Sequence, residues 1–396
     1  SLYFHGLYGP RPVPAGVRFV TFVRALALAA LVVVLASWWL PAPHAAPAAS
    51  LAALGAAALV LPAWRTAFDA LSNADAMRRP ALVLGTGRLA RACTDLITGE
   101  HDTGLRLVGA VIRRGDTSSG AFVVGHYEDI ARVVAQHDVR HIVVASQDRR
   151  GALPMETLLE LKFRGVEIEE GVAFYERVTG KLFVRELKPS QLIFSDGFRV
   201  RPSTLAAKRA FDVACAVVGL VLAAPLMLLT AIAIRLDSSG PVLYSQLRAG
   251  AFGEPFLVHK FRSMRVDAEA NGAQWAAEDD PRVTRVGRFI RKTRIDELPQ
   301  LWNVLVGEMS MVGPRPERPV FIAELEKQIP FFRQRLCVKP GVTGHAQVRC
   351  KYGASTEDAL EKLQYDLYYI KSFSLWFDLS ILLDTVKVVL LRIGAR

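Results

Sequence analysis

The sequence predicts a membrane-bound α/β protein in three parts. Transmembrane helices come first, a doubly wound α/β domain follows, and a mostly α-helical C-terminal domain carries a membrane-inserted helix. Three observations predict this. Apolar residues make up 51% of the 396-residue chain and are concentrated in a few long runs. Residues 80–200 alternate strand-like with helix-like segments. From about residue 240 the chain turns polar, with short amphipathic stretches. A net charge of +11 and a pI near 9.7 call for anionic partners. The apolar runs, with a mean hydropathy of +0.24, favour lipid over nucleic acid as that partner.

Residues 17–66 supply the N-terminal helices. The run 19–40 is almost entirely apolar and meets the ~20-residue length of a bilayer span, with Trp38 and Trp39 as interface anchors. A Pro- and Ala-rich stretch leads to a second apolar run, 51–63. Arg11, Arg18 and Arg24 precede the pair, Arg65, Arg78 and Arg79 follow it, and the loop between has no basic residue, so both outer flanks are expected in the cytoplasm. The alternative is a signal peptide plus a buried helix, against which the length of the first run argues. The chain opens on Ser1, so residues 1–14 read as a fragment edge. Cys93, Cys215, Cys337 and Cys350 form no C-x-x-C pair, which suggests neither a zinc ribbon nor a disulfide framework and fits a reducing compartment.

In residues 80–200, ALVLGTGRLARACTDLI reads as strand, Gly turn and helix, and LRLVGAVIRRG, HIVVAS and GVEIEE as further strands. Gly85 and Gly87 match G-x-G-x-x-A, a turn that lets backbone N–H groups approach a pyrophosphate. The ribose-binding acid expected after the second strand is replaced by Arg113 and Arg114, and Leu367 stands where a Tyr-x-x-x-Lys pair with Lys371 would need Tyr. Nucleotide binding and a plain scaffold both remain open for this domain.

Within the segment 208–236, the apolar run 213–234 is long enough to span a bilayer but is basic on both flanks, with Lys208 and Arg209 before it and Arg235, Arg248, Lys260 and Arg262 after it. Pro225, next to Ala224, removes a hydrogen bond at its middle. Both features favour a re-entrant helix that enters and leaves on the cytoplasmic side. The C-terminal stretch has apolar residues at helical spacing with Lys387, Arg392 and Arg396, suited to a membrane surface or to core packing.

Three charged clusters follow the apolar run. The first holds Lys260 and Arg262. In the second, Arg282, Arg285, Arg288, Arg291 and Arg294 recur every three residues, which on one helix makes a drifting cationic ridge. Such a ridge suits phosphate or lipid headgroups, or is simply a solvated face. It runs into Asp296 and Glu297 beside Pro299. The two acids fit helix N-capping. They equally fit a nucleophilic carboxylate, which can form an acyl-phosphate, beside one that binds a hard cation such as Mg²⁺. Arg315 in Gly313-Pro-Arg-Pro316, and Lys339 in Lys-Pro-Gly, read as phosphate clamps or as turns.

Residues 205–396 carry KRAFD, GPVLYSQLRAG, KFRSM, TRIDELPQLWNVLVGEMSMVGPRPE, KPGVTGHAQV and YDLYYIKSFSLWFDL. These blocks resemble the bacterial polyprenyl-phosphate hexose-1-phosphate transferases, the monotopic phosphoglycosyl transferases of exopolysaccharide and O-antigen assembly. The upstream half is similar to the long form of that family, with transmembrane helices and a Rossmann-like domain. The resemblance implies transfer of hexose-1-phosphate from a UDP-sugar to undecaprenyl phosphate, with release of UMP. It implies Asp296 as the nucleophile, Glu297 as the Mg²⁺ ligand, phosphate contacts at Lys260, Arg262 and Arg315, and a re-entrant helix. It places the protein in the bacterial inner membrane with its catalytic domain facing the cytoplasm. Family habit points to UDP-glucose or UDP-galactose, and a homodimer is expected of the long form. Two positions depart from the pattern: Ala224 replaces the usual Ser before Pro225, and His345 the usual Trp. The competing readings are a membrane-anchored enzyme that modifies nucleotide sugars with its Gly-turn domain, and a non-catalytic assembly scaffold.

Overall fold

Consecutive apolar residues buried on both faces define the strand Arg79–Leu84, β1 of the computed structural model. The structure describes residues 78–390 apart from 100–102, 117–121, 147–152, 188, 195–196, 199–200, 269–279, 351–352 and 354, together with the isolated positions 55, 56 and 60. The two helices expected within 17–66 otherwise lie outside the described residues. The chain divides into two compact units, Ser1–Phe183 and Val184–Arg396.

In the first unit, β1 is followed by α1 (Arg88–Thr98), β2 (Leu105–Ile112), β3 (Val123–His126), α2 (Ile130–Gln136), β4 (His141–Val144), α3 (Met155–Phe163), β5 (Glu167–Glu170) and α4 (Gly171–Thr179). The strands form one sheet in the order β3-β2-β1-β4-β5, every neighbouring pair parallel. Ala81 and Val83 face α1 and α4 through Leu89, Cys93, Ile97 and Phe174. Leu82 and Leu84 face α2 and α3 through Ile130, Val133, Leu158 and Leu161. Gly85 ends β1 at φ +115°, and a Cβ there would lie 2.7 Å from the Ser146 amide nitrogen, so no side chain fits. The short edge strand β3 had no clear signal in the sequence.

In the second unit, α5 (Pro202–Asp237) is a single 36-residue helix with Pro225 inside it. It is the one helix among the described residues long and apolar enough to cross a membrane. Val218, Val221, Leu222, Leu228 and Leu229 around its middle are exposed, whereas Lys208, Asp212, Ala216 and Ile234 near its ends are buried. Both ends dock on the same unit. Next come the antiparallel hairpin β6 (Leu243–Ala249) and β7 (Pro255–Phe261), α6 (Arg285–Lys292) and α7 (Gln300–Val306). They are followed by the parallel pair β8 (Ser310–Val312) and β9 (Gly341–Thr343), then α8 (Thr356–Lys371) and α9 (Leu375–Leu390). Near the start of α5, Arg209 donates to the carbonyls of Val304 and Leu305 at 2.6 and 2.8 Å. Near its end, Ile234 packs with Phe261 and Ile290, and the Asp237 carboxylate accepts from the Val286 amide at 3.1 Å. Trp376, Leu379, Leu383 and Val386 form an exposed stripe on α9, as the spacing of its apolar residues leads one to expect. All four cysteines are free.

A buried ionic cluster joins the two ends of this unit. Lys208 Nζ lies 2.8 Å from Asp212 and 3.1 Å from Asp378, and the Tyr369 hydroxyl donates to Asp378 at 2.8 Å. Asp378→Ala strips Lys208 of one of its two carboxylates inside the fold. The expected loss is ~3 kcal/mol or more of unfolding free energy, read by denaturant titration in detergent micelles.

Candidate active site

The site is built where three segments meet at one carboxylate. Strand β7 ends at Phe261, and the residue before it, Lys260, reaches Glu297 Oε1 at 3.1 Å. Thr284 caps α6 through a hydrogen bond to the Gly287 amide, and the helix stops at Lys292. Arg294 then takes a left-handed conformation at φ +61° and starts a 3₁₀ turn, Ile295–Glu297, that carries both acids. Arg294 lies 3.8 Å from Glu297 Oε1. Past β8, the turn at Gly313–Pro316 delivers Arg315, whose Nη2 lies 2.6 Å from the same oxygen. Gly313 and Gly341 let the two chains touch backbone to backbone there: Gly313 N donates to Thr343 O, and Gly341 N to Pro314 O, each at 2.9 Å.

Asp296 and Glu297 are adjacent and both buried, yet their environments are opposite. Burial, then the neighbouring Glu297, pushes the Asp296 carboxyl up to about 6, against the pull of Lys260, Arg294 and Arg315. Burial also acts to raise Glu297, but Arg315, Lys260 and Arg294 outweigh it and hold that carboxylate well below its usual range. Asp296 Oδ1 is buried and has no hydrogen-bond partner among the described residues. An acceptor oxygen left unsatisfied among cations can take a proton, a cation or an electrophilic phosphorus.

Of the cationic residues singled out in the sequence, Lys260, Arg294 and Arg315 converge on the dyad, and the others do not. Arg262 is buried, with Nη1 donating to Ser239 O at 2.8 Å and Nη2 to Ser238 O at 2.7 Å. It closes the chain that leaves α5 and is not aimed at the acids. Arg282 is committed to Asp280 at 2.8 Å and to Ala268 O at 2.9 Å. The five arginines therefore do not share one helix: Arg282 precedes the cap, Arg294 follows the last turn, and only Arg285, Arg288 and Arg291 lie on α6. Arg285 and Arg288 are exposed there. The charges acting on Lys339 are Arg209 and Asp212. Gly85 and Gly87 belong to the sheet unit, and Ala224 and Pro225 to the exposed middle of α5. His345 is buried with its ring 5.1 Å from Tyr365 and 4.9 Å from Phe377, so it fills an aromatic cluster.

Sequence reasoning missed Asn303. It is fully buried, accepts from the His259 amide at 3.1 Å and donates to Leu257 O at 2.7 Å, and so fastens α7 to the strand that holds Lys260. A lone polar residue on the apolar face of a short helix was its only signal.

Residues 203–392 match the family model described as bacterial sugar transferase. The exopolysaccharide production protein PSS of Rhizobium leguminosarum bv. phaseoli is 42% identical over 194 residues, 48% of this chain and 97% of that protein. The UDP-N-acetylgalactosamine-undecaprenyl-phosphate N-acetylgalactosaminephosphotransferase of Aeromonas hydrophila is 45% identical over 223 residues, 56% of this chain and 52% of that one. The UDP-glucose:undecaprenyl-phosphate glucose-1-phosphate transferase of Escherichia coli K12 is 44% identical over 183 residues, 45% of this chain and 39% of that one. The chain belongs to the bacterial sugar transferase family. Its match spans about half the length of the Aeromonas relative.

The geometry separates two neighbouring cations. Arg262→Ala removes the hydrogen bonds that a buried guanidinium makes to two backbone carbonyls and is expected to cost ~3 kcal/mol of stability, seen as a lowered melting midpoint. Lys260→Met is expected to leave the midpoint within a few degrees and to act on the dyad instead.

Proposed function

We propose that this protein transfers a sugar-1-phosphate from a UDP-sugar to undecaprenyl phosphate in the bacterial inner membrane, as an early membrane step of exopolysaccharide or O-antigen assembly. The observation that carries the reading is the buried, unpartnered Asp296 oxygen next to a carboxylate held by Lys260, Arg294 and Arg315. The names of the Aeromonas and Escherichia relatives support the donor and acceptor classes.

In the first step an Asp296 carboxylate oxygen attacks the phosphorus that bears the sugar. A P–O bond to Asp296 forms, the bond to UMP breaks, and UMP leaves with the electron pair. In the second step a phosphate oxygen of undecaprenyl phosphate attacks the same phosphorus. The acyl-phosphate bond breaks, which frees Asp296 and yields the lipid pyrophosphate-linked sugar. Lys260, Arg294 and Arg315 surround the phosphates and balance their charge. The donor set fits a hard divalent cation such as Mg²⁺. Oε1 is the nearest oxygen in each of the three cationic contacts to Glu297, and Asp296 Oδ1 has no hydrogen-bond partner among the described residues. Glu297 would hold the cation, which when bound supplies charge neutralisation at the pyrophosphate.

The docking of both ends of α5 on one unit, with its apolar middle exposed, supports a re-entrant helix around Ala224 and Pro225. The catalytic unit then lies on the cytoplasmic side, with the α9 stripe against the bilayer surface. The parallel order β3-β2-β1-β4-β5, with the Gly85–Gly87 turn after its central strand, supports a Rossmann-like class for the sheet unit.

The test is UMP release by the full chain in lipid nanodiscs with Mg²⁺ and undecaprenyl phosphate, using UDP-glucose, UDP-galactose and UDP-N-acetylgalactosamine in turn. One donor is expected to give acceptor-dependent UMP, and Asp296→Asn to lower its rate by ~10³-fold or more. Equal rates in the two proteins would remove Asp296 from the chemistry.

A further inference from the structure

Arg315 sits on a turn, not on a helix or a strand, yet it makes the shortest of the three contacts to Glu297. A side chain on a turn is only as well placed as the backbone beneath it. On one flank, Arg248 donates to Pro316 O at 3.1 Å, and the Ala249 amide to Glu317 O at 3.0 Å. At Arg315 itself, the carbonyl accepts from Arg335 Nη2 at 3.1 Å. Arg335 is buried, and the same nitrogen lies 2.8 Å from Asp366 on α8. The Arg335 guanidinium also lies 5.2 Å from the centre of the Phe332 ring.

This pair is an expensive way to hold a fold together. Arg335 Nε is buried without a hydrogen bond among the described residues, and burial pushes the Asp366 carboxyl above its usual range even with Arg335 beside it. Phe331, at the start of the 3₁₀ segment that presents Arg335, takes φ +60°, a strained conformation for a bulky residue. A buried ion pair is seldom more stable than apolar residues of similar volume. Stability therefore does not account for the pair. Its one link toward the dyad is the Arg315 carbonyl.

We propose that Arg335 and Asp366 are positioning residues that hold the Arg315 carbonyl so that the Arg315 guanidinium meets Glu297 and the donor phosphates. The inference rests on the transferase reading for its effect on rate, and on geometry alone for its effect on the turn.

The test compares wild type with Arg335→Met/Asp366→Leu, which removes both buried charges together and so avoids leaving one uncompensated. Arg335→Lys, which keeps the charge, is the conservative partner. Each is made in the full chain in nanodiscs, with and without Arg315→Ala. Three quantities are read: UMP release, melting midpoint, and amide hydrogen exchange of the peptide covering 313–317. The apolar pair is expected to melt near wild type, to exchange faster at 313–317 and to lose ~10²-fold in rate, the scale of an ångström-sized misplacement. Arg335→Lys is expected to recover much of that rate. With Arg315→Ala already present, the apolar pair is expected to cost little more. Unchanged exchange at 313–317 overturns the proposal, as does a rate loss that adds in full to that of Arg315→Ala. If the apolar pair does not fold, Arg335→Lys decides by the same exchange and additivity criteria. If wild type releases no UMP, the transferase reading fails, and exchange at 313–317 alone decides whether the pair positions the turn.

Discussion

Everything in the catalytic unit is arranged around one oxygen, Oε1 of Glu297. It draws Lys260 from a strand, Arg294 from a left-handed residue and Arg315 from a turn, at 3.1, 3.8 and 2.6 Å. A carboxylate this deeply placed is tolerable only with compensating charge and hydrogen bonds. The cations sit closest to Glu297, and at its neighbour burial and the like charge of Glu297 outweigh their pull. The two acids are thereby driven apart in acidity, Asp296 up and Glu297 down. Such divergence marks pairs with divided chemical roles. In the proposed transferase reading, the same three cations then serve the phosphate oxygens of the donor.

The convergence depends on supports outside the site. Asn303 pins α7 to β7 and so sets the register of Lys260. The Asp212 carboxylate accepts from the Met311 amide at 3.1 Å, and the Tyr369 hydroxyl donates to Val312 O at 3.0 Å. Both bonds hold β8, the strand that runs into the Arg315 turn. Asp212 lies on α5, the apolar helix, and Tyr369 lies on α8. A continuous set of polar contacts therefore runs from the helix proposed to enter the bilayer to the residue that clamps Glu297.

Much of this was legible in the sequence, and the exceptions have physical reasons. β1, β2 and β4 stood out because strands buried on both faces read as unbroken apolar runs. β3 did not, because it is a four-residue edge strand with a glycine. The acid pair stood out because it ends a cationic stretch, and Lys260 because it belongs to a charged cluster that follows the apolar run. Arg262 was indistinguishable from Lys260, because strand alternation gives residues two apart the same face. Only the position of Ser238 and Ser239 in space assigns it a different task. A period of three suggested one arginine ridge, but periodicity does not show that Thr284 caps the helix or that Arg294 leaves it. Asn303, Arg335 and Asp366 are single polar residues without any repeat, and the contacts that tie them to the site and to each other span 20 or more residues of chain. At the His345 departure the imidazole packs as a ring among Tyr365, Tyr368 and Phe377.

The central claim is that Asp296 carries the phospho-sugar between donor and acceptor. The most direct measurement is intact-protein mass spectrometry after incubation with the active UDP-sugar and Mg²⁺ in the absence of any lipid phosphate, followed by peptide mapping. The account predicts a mass increase of one phospho-sugar per chain, located on the peptide containing Asp296, with an equal amount of UMP released and the adduct discharged when undecaprenyl phosphate is added. Transfer to lipid that proceeds with no adduct and no acceptor-independent UMP, or an adduct on another residue, would contradict it.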